Sequence, residues 1–190
     1  GAGWIAQHFY DYYLYSGDKD FLKNRAIPFM SLVADFYEDY MICGEDGYYI
    51  SVPSNSPENT PKNFADSNKM GGAAPVCVNA TMDFAIMKEV LSNLINAYKI
   101  LDIHSEELAK WQDMLSKIPP YQANEDGAIK EWMYDEYLDN YNHRHQSHLY
   151  PIFPGKEVTK ENNRELFKVF EKAVEKRLAV GLYDQTGWSC

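Results

Sequence analysis

Apolar side chains recur at intervals of three and four residues over much of this 190-residue chain. This spacing limits the possible folds, because it places the side chains on one face of an α-helix rather than on a strand. A short helix is expected after Asp18, which can cap it. Longer helices are predicted at residues 4–15, 28–40, 81–101, 105–115 and 166–178.

Two long segments with little helical pattern, residues 44–81 and 121–160, separate these helices. The first contains a turn at Asp46-Gly47, a short strand at residues 48–52 and a flexible stretch at Gly71-Gly72. Long loops inside a compact domain are usually functional when they are not disordered. Helix pairs joined alternately by short turns and long loops are typical of an α/α toroid. We therefore predict an all-α fold with a cleft formed by loops at one end.

The composition excludes several classes of partner. A net charge of −10 and a pI near 4.9 argue against nucleic acid and anionic membranes, because phosphate contacts need clustered Lys and Arg. No apolar run is long enough to cross a bilayer. Three cysteines without close pairing imply no disulfide framework. The 15 tyrosines and 4 tryptophans suit the apolar faces of sugars, although most should pack in the core.

The two ends of the chain read as cuts through a larger protein. Gly-Ala-Gly-Trp opens it without an initiator Met, inside a predicted helix, and Thr-Gly-Trp-Ser-Cys closes it without a tail. No Gly/Ser linker divides the residues between them. We therefore expect residues 1–190 to be one partial domain, with the remainder of that domain as its partner.

The loop at residues 54–59, Ser-Asn-Ser-Pro-Glu-Asn, presents one carboxylate among small polar residues and prolines. Prolines at 53, 57 and 61 restrict the backbone and disfavour helix, so Glu58 should stand on a stiff loop. Burial among Pro, Tyr and Trp side chains would raise its pKa, as a proton donor near neutral pH requires. The alternative is a surface glutamate in a turn.

Three histidines and an arginine cluster at residues 143–148, His-Arg-His-Gln-Ser-His. Their spacing lacks the additional ligands of a zinc site, so a metal is the weakest interpretation. They can donate hydrogen bonds to hydroxyls or a carboxylate, or they can be buried and tie the loop to the core. No phosphate-binding glycine loop or nucleophile elbow accompanies them.

Two further carboxylates could act on a sugar. Glu131 precedes Trp132, so it could contact a sugar beside a ring platform or be solvated. Asp83 could be catalytic, although stabilisation of a helix N-terminus is the favoured interpretation. A glycosidase needs one protonated carboxyl group and a second group on the opposite face of the ring.

Taken in order, these motifs resemble glycoside hydrolase family 95, the inverting α-L-fucosidase and α-L-galactosidase group. The resemblance spans nearly the whole chain, and its most specific motif is the histidine cluster. The matching segments are residues 1–8, 54–59, 81–83, 92–93, 131–132, 143–150, 153–155 and 186–189.

The resemblance implies an (α/α)6 barrel, action on terminal α-L-fucosyl residues of a glycan, and no metal or organic cofactor. It places the general acid at Glu58. The family's paired asparagines would lie before residue 1 and its catalytic Asp after residue 190. The candidate substrate contacts are Trp4, His8, Asn59, Glu131, Trp132, His143, His145 and His148.

Two rival functions stay open at this point. One is a noncatalytic carbohydrate-binding or structural helical domain. The other is a different α/α-toroid sugar enzyme, a lyase or an epimerase.

Overall fold

A computed structural model describes residues 1–65 and 76–181, and the regular structure in these ranges is mostly helical. This confirms the all-α prediction. The α-helices are α1 Ala2–Ser16, α2 Lys19–Phe21, α3 Ile27–Tyr40, α4 Lys62–Ala65, α5 Thr81–Ile100, α6 Glu107–Ser116 and α7 Arg164–Gly181. The remaining elements are a π-helical turn Leu22–Ala26, a 3-10 turn Ser147–Leu149 and two strands, β1 Ile42–Cys43 and β2 Tyr49–Ile50. Gly71-Gly72 and the 186–189 motif lie outside the described residues.

The helix boundaries follow local capping chemistry at several points. Gly17 ends α1 with φ of 70°, and its N–H donates to Tyr13 O at 2.8 Å. Asp18 caps α2 as predicted, because its Oδ1 accepts from Phe21 N at 2.9 Å. Ser105 likewise accepts a bond from the N–H that opens α6.

The segment between Asp18 and Tyr40 is helical throughout, since α2 continues through the π-helical turn Leu22–Ala26 into α3. Pro28 lies in the first turn of α3. The wider turn contains Asn24, and the ring of Pro28 would crowd the carbonyl of this residue, four positions earlier, in a regular helix. Thr81 is the first residue of α5, and its hydroxyl donates to Lys130 O at 2.6 Å.

The predicted strand is confirmed in a shortened form. β2 pairs antiparallel with β1, with Ile42 opposite Ile50 and Cys43 opposite Tyr49. Gly47, with φ of 84°, turns the chain between the two strands.

The chain divides into two compact units, each built from two stretches. The first unit comprises Gly1–Ile50 and Ile86–Pro119. Its buried core includes Met30, Leu91 and Trp111. A β-carbon at Gly3 would lie 2.5 Å from Ile86 Cγ2, so α1 and α5 approach closely only because residue 3 is glycine.

The second unit comprises Ser51–Ala85 and Pro120–Cys190. Its described apolar core contains one cluster around α7 and another around Trp132. The first cluster is Ala128, Ile129, Val158, Phe170 and Ala173, and the second is Cys77, Ala80 and Trp132. Among the helices within residues 1–65 and 76–181, none is both long and apolar enough to cross a membrane.

Candidate active site

The segment that leads into the 54–59 loop is fixed by a carboxylate in the first turn of α5. Asp83 Oδ2 accepts from Ser54 Oγ at 2.7 Å and from Ser51 Oγ at 3.2 Å. Ser54 Oγ also accepts from Ala80 N at 2.9 Å. Burial raises the pKa of Asp83, and the two serine hydroxyls oppose that rise. Asp83 therefore holds the segment before the loop in place, in addition to the helix-stabilising role that its position predicts.

Asn79 holds the same segment from the other side. Its φ of 57° is left-handed, a conformation that asparagine tolerates better than most residues. The side chain accepts from Ser51 N at 2.8 Å and donates to Met133 O at 3.1 Å. This one residue therefore joins the loop to the segment that follows Trp132.

The loop tip is a tight turn with polar residues pointing inward on both sides of Glu58. Asn59 N donates to Ser56 O at 2.7 Å, and the Pro57–Glu58 peptide bond is cis. Ser56 Oγ and Asn59 Nδ2 each donate to the Glu131 carboxylate at 2.7 Å. Ser147 Oγ donates to Pro57 O at 2.7 Å, which ties the turn to the histidine segment.

Glu58 itself lies at the surface, with 62% of its side chain exposed. Arg144 Nη2 donates to Glu58 Oε2 at 2.5 Å, and His145 Nε2 lies 3.6 Å from the same oxygen. The hydrogen bond from Arg144 and then its positive charge lower the pKa of Glu58. The expectation of a buried Glu58 with a raised pKa is therefore wrong. Glu58 thus lies beside two residues of the 143–148 segment, Arg144 and His145.

Glu131 is the buried carboxylate of the site, with an exposure of only 2%. It forms an ion pair with Arg177 of α7, which is fully buried. Burial raises the pKa of Glu131 to about 7, while Arg177 and the hydrogen bonds from Ser56 and Asn59 oppose the rise. The solvated alternative for Glu131 is therefore wrong.

The three clustered histidines have different surroundings. His143 and His145 are half-buried, and their ring centroids lie 5.4 Å apart. His148 is fully buried, and this burial lowers its pKa well below the ordinary value. Burial also lowers the pKa of His143. His148 is therefore buried in the core, whereas His145 stays partly accessible.

The other predicted substrate contacts belong to different units. Trp132 is 1% exposed and packs with Cys77 and Ala80. Trp4 and His8 are exposed on α1, in the first unit. All eight substrate contacts stay predictions. The burial of Asn59, Glu131, Trp132 and His148 favours a supporting role for these four.

Sequence reasoning missed Arg177, although a signal was present. Phe170, Ala173 and Arg177 recur at three and four residues and share the buried face of α7. A charged residue on such a face requires a buried partner. It also missed Asp139, whose Oδ1 accepts from Glu131 N at 2.8 Å.

Within the described residues, no group of three or more His, Cys, Asp or Glu side chains is placed to hold a metal ion. The titratable groups described above can instead donate and accept protons and hydrogen bonds. An exposed carboxyl group beside a guanidinium and an imidazole is suited to acid–base work on a polar ligand such as a sugar.

Comparison with known proteins gives a match over the whole chain. The model of the glycosyl hydrolase family 95 catalytic domain matches residues 1–190. Alpha-L-fucosidase 2 from Arabidopsis thaliana is 36% identical over 190 residues, which are all of this chain and 22% of that protein.

Two fungal proteins are also similar. Probable alpha-fucosidase A from Aspergillus niger is 25% identical, over 98% of this chain and 23% of its own length. Probable alpha-fucosidase A from Aspergillus oryzae is 28% identical, over 80% of this chain and 20% of its own length. The chain thus spans about one fifth of the length of these curated relatives.

Proposed function

Because the chain belongs to glycosyl hydrolase family 95, we propose that it is part of a catalytic domain that hydrolyses terminal α-L-fucosyl or α-L-galactosyl residues with inversion. The fucosidase names of the relatives support the substrate class. A glycan is then the partner of the site, together with the remainder of the catalytic domain.

The observation that carries the proposal is the placement of Glu58. Its side chain is exposed at the tip of a loop whose inner residues are anchored to Glu131, and it touches Arg144. A reacting group on a rigidly anchored, accessible turn can be aimed at a glycosidic oxygen. Glu58 is the general acid of this proposal.

Inversion requires a second carboxylate on the other face of the sugar. One carboxyl group protonates the leaving oxygen, and the other activates a water molecule, with roughly 6.5–9.5 Å between them to hold that water. Following the family resemblance, we place this base in the longer protein, after residue 190. The asparagines that assist the water lie before residue 1 in the same proposal.

General acid catalysis requires protonated Glu58, and the Arg144 contact opposes protonation. A bound glycan shields Glu58 from water. The hydroxyl oxygens of the glycan are also alternative acceptors for the Arg144 guanidinium. Both changes raise the pKa of Glu58. Substrate binding is therefore the event that converts the resting ion pair into a proton donor.

The helices suit the proposed (α/α)6 barrel. α5 and α6 are consecutive helices joined by a short turn, and the rings of Tyr98 and Trp111 pack edge-to-face between them at 5.0 Å. Helix hairpins of this kind are the repeating unit of an α/α toroid. The barrel itself is completed by chain outside residues 1–190 in this proposal.

Replacing Glu58 with Gln in the full-length enzyme tests the assignment. We expect kcat on an alkyl α-L-fucoside to fall by roughly 10²–10⁴, the usual contribution of a general acid. A dinitrophenyl α-L-fucoside should be affected much less, because its phenolate leaves without a proton. NMR of the first product should show the β-anomer.

Glu161→Gln is the matched control, since Glu161 is an exposed glutamate in the same unit. An unchanged rate for Glu58→Gln on the alkyl substrate would reject Glu58 as the acid. An unsaturated product would indicate a lyase, and release of the α-anomer would exclude inversion.

A further inference from the structure

Arg177 is a buried group that reaches toward both loops of the candidate site. Its Nη1 donates to His143 O at 3.1 Å, and its Nη2 donates to Glu131 Oε2. His143 O belongs to the backbone that carries Arg144 and His145. The guanidinium therefore fixes the start of the loop that contacts Glu58.

The other side of this arrangement runs through Glu131. Both of its carboxylate oxygens are used, because Oε1 accepts from Ser56 and Oε2 from Asn59 and Arg177. Ser56 and Asn59 bracket the Pro57–Glu58 peptide. The carboxylate thus holds the loop at residues 54–59, the acid loop, at two points. Because Glu131 is buried, neither of its oxygens is exposed to contact a sugar.

We propose that Arg177 and Glu131 are positioning residues that set the placement of Glu58 relative to Arg144 and His145. The inference deepens the proposed function and rests on it. Arg177 acts through the His143 backbone, and Glu131 acts through Ser56 and Asn59. Neither residue touches the substrate.

Stability alone does not account for such a pair. Replacing a buried ion pair with uncharged groups of similar volume often leaves stability unchanged or improved. A guanidinium, however, offers several donors in a planar fork, so it can hold two acceptors at a fixed separation. The two acceptors of Arg177 are His143 O and Glu131 Oε2. The first belongs to the loop that carries Arg144, and the second holds the loop that carries Glu58.

The test uses the full-length enzyme and two substrates that differ in their need for a proton. Arg177→Lys keeps the charge, but a single ammonium cannot reproduce the fork. Arg177→Met combined with Glu131→Gln removes both charges and leaves no unpaired buried ion. For both variants we expect kcat on the alkyl α-L-fucoside to fall by roughly 10- to 100-fold, the effect of a reacting group displaced by about 1 Å.

On the dinitrophenyl α-L-fucoside the same variants should stay within about threefold of wild type, because no acid is needed there. A purely structural role would lower both rates together. The basic limb of the kcat/KM profile should also move to higher pH, since a displaced Arg144 no longer lowers the pKa of Glu58. Lys172→Met, which removes an exposed cation five residues earlier on α7, is the control.

Equal losses on both substrates, or no loss in variants that unfold at the wild-type temperature, would overturn the inference. Failure of the uncharged double variant to fold would assign the pair a structural role and would overturn it too. Glu58→Gln is measured alongside. If Glu58→Gln leaves the alkyl substrate unaffected, the proposed function itself has failed; if only the Arg177 variants behave as wild type, the positioning role alone has failed.

Discussion

At the scale of single residues, Glu58 and Glu131 carry the same carboxyl group in opposite surroundings. Glu58 is exposed, and Arg144 lowers its pKa. Glu131 is buried, and burial raises its pKa despite its own arginine partner. The proposed acid, Glu58, is thus the carboxylate that is ionised in the resting protein. Its protonation depends on the Arg144 contact being replaced by a contact with the substrate.

Arg144→Met tests this dependence through the pH profile. A general acid must be protonated, so kcat/KM falls as pH rises through the pKa of free Glu58. Removing the hydrogen bond and charge of Arg144 raises that pKa, so the basic limb should move to higher pH even if kcat/KM falls overall. The profile is measured on full-length enzyme with an alkyl α-L-fucoside.

Lys168→Met, which removes an exposed cation on α7, should leave the limb in place. A basic limb that stays fixed in Arg144→Met, or moves to lower pH, would contradict the ion-pair account.

The environment of Glu58 also shows where sequence reasoning stops. Neighbouring prolines predicted a stiff loop, and the structure contains an anchored turn there. The same neighbours suggested burial, yet the deciding partner, Arg144, lies 86 residues away. Local composition carries no information on a contact between residues so distant in sequence.

At the scale of elements, α5 contributes more than a packed face. Its first turn carries Asp83, which holds Ser51 and Ser54 and so fixes the approach to the acid loop. The helices were predictable because apolar spacing is a local property. The hydrogen bonds of Thr81 and Asp83 were not predictable, because each depends on a partner distant in sequence.

Asp83→Ala should destabilise the second unit. It removes the acceptor of two serine hydroxyls, at a cost of about 1–3 kcal/mol, while Asp83→Asn keeps one acceptor and should cost less. Urea unfolding of the protein measures the difference. Asp113→Ala, at an exposed ion pair with Lys117, is the control. If Asp83→Ala lowers the free energy of unfolding no more than Asp113→Ala does, the loop is held by other contacts.

At the scale of the whole molecule, the 190 residues cover about one fifth of their curated relatives, so the complete reaction is a property of a longer chain in our proposal. We expect the purified 190-residue chain to show negligible turnover of dinitrophenyl α-L-fucoside, measured against the full-length enzyme at equal concentration. An inverting reaction without its base has no activated water. Robust hydrolysis by the short chain would contradict the placement of the base outside it.

The two units also interleave along the sequence, since residues 51–85 interrupt the first unit before residue 86 resumes it. A single-crossover chimaera between two family members, with its junction between residues 51 and 119, would consequently combine unmatched parts in at least one of the two units. To transfer the acid loop into a relative, residues 51–85 and the residues from 120 onward should be exchanged together, because both stretches belong to the second unit. Glu58 and Arg177 then travel together, and the recipient keeps its own α1–α3 scaffold.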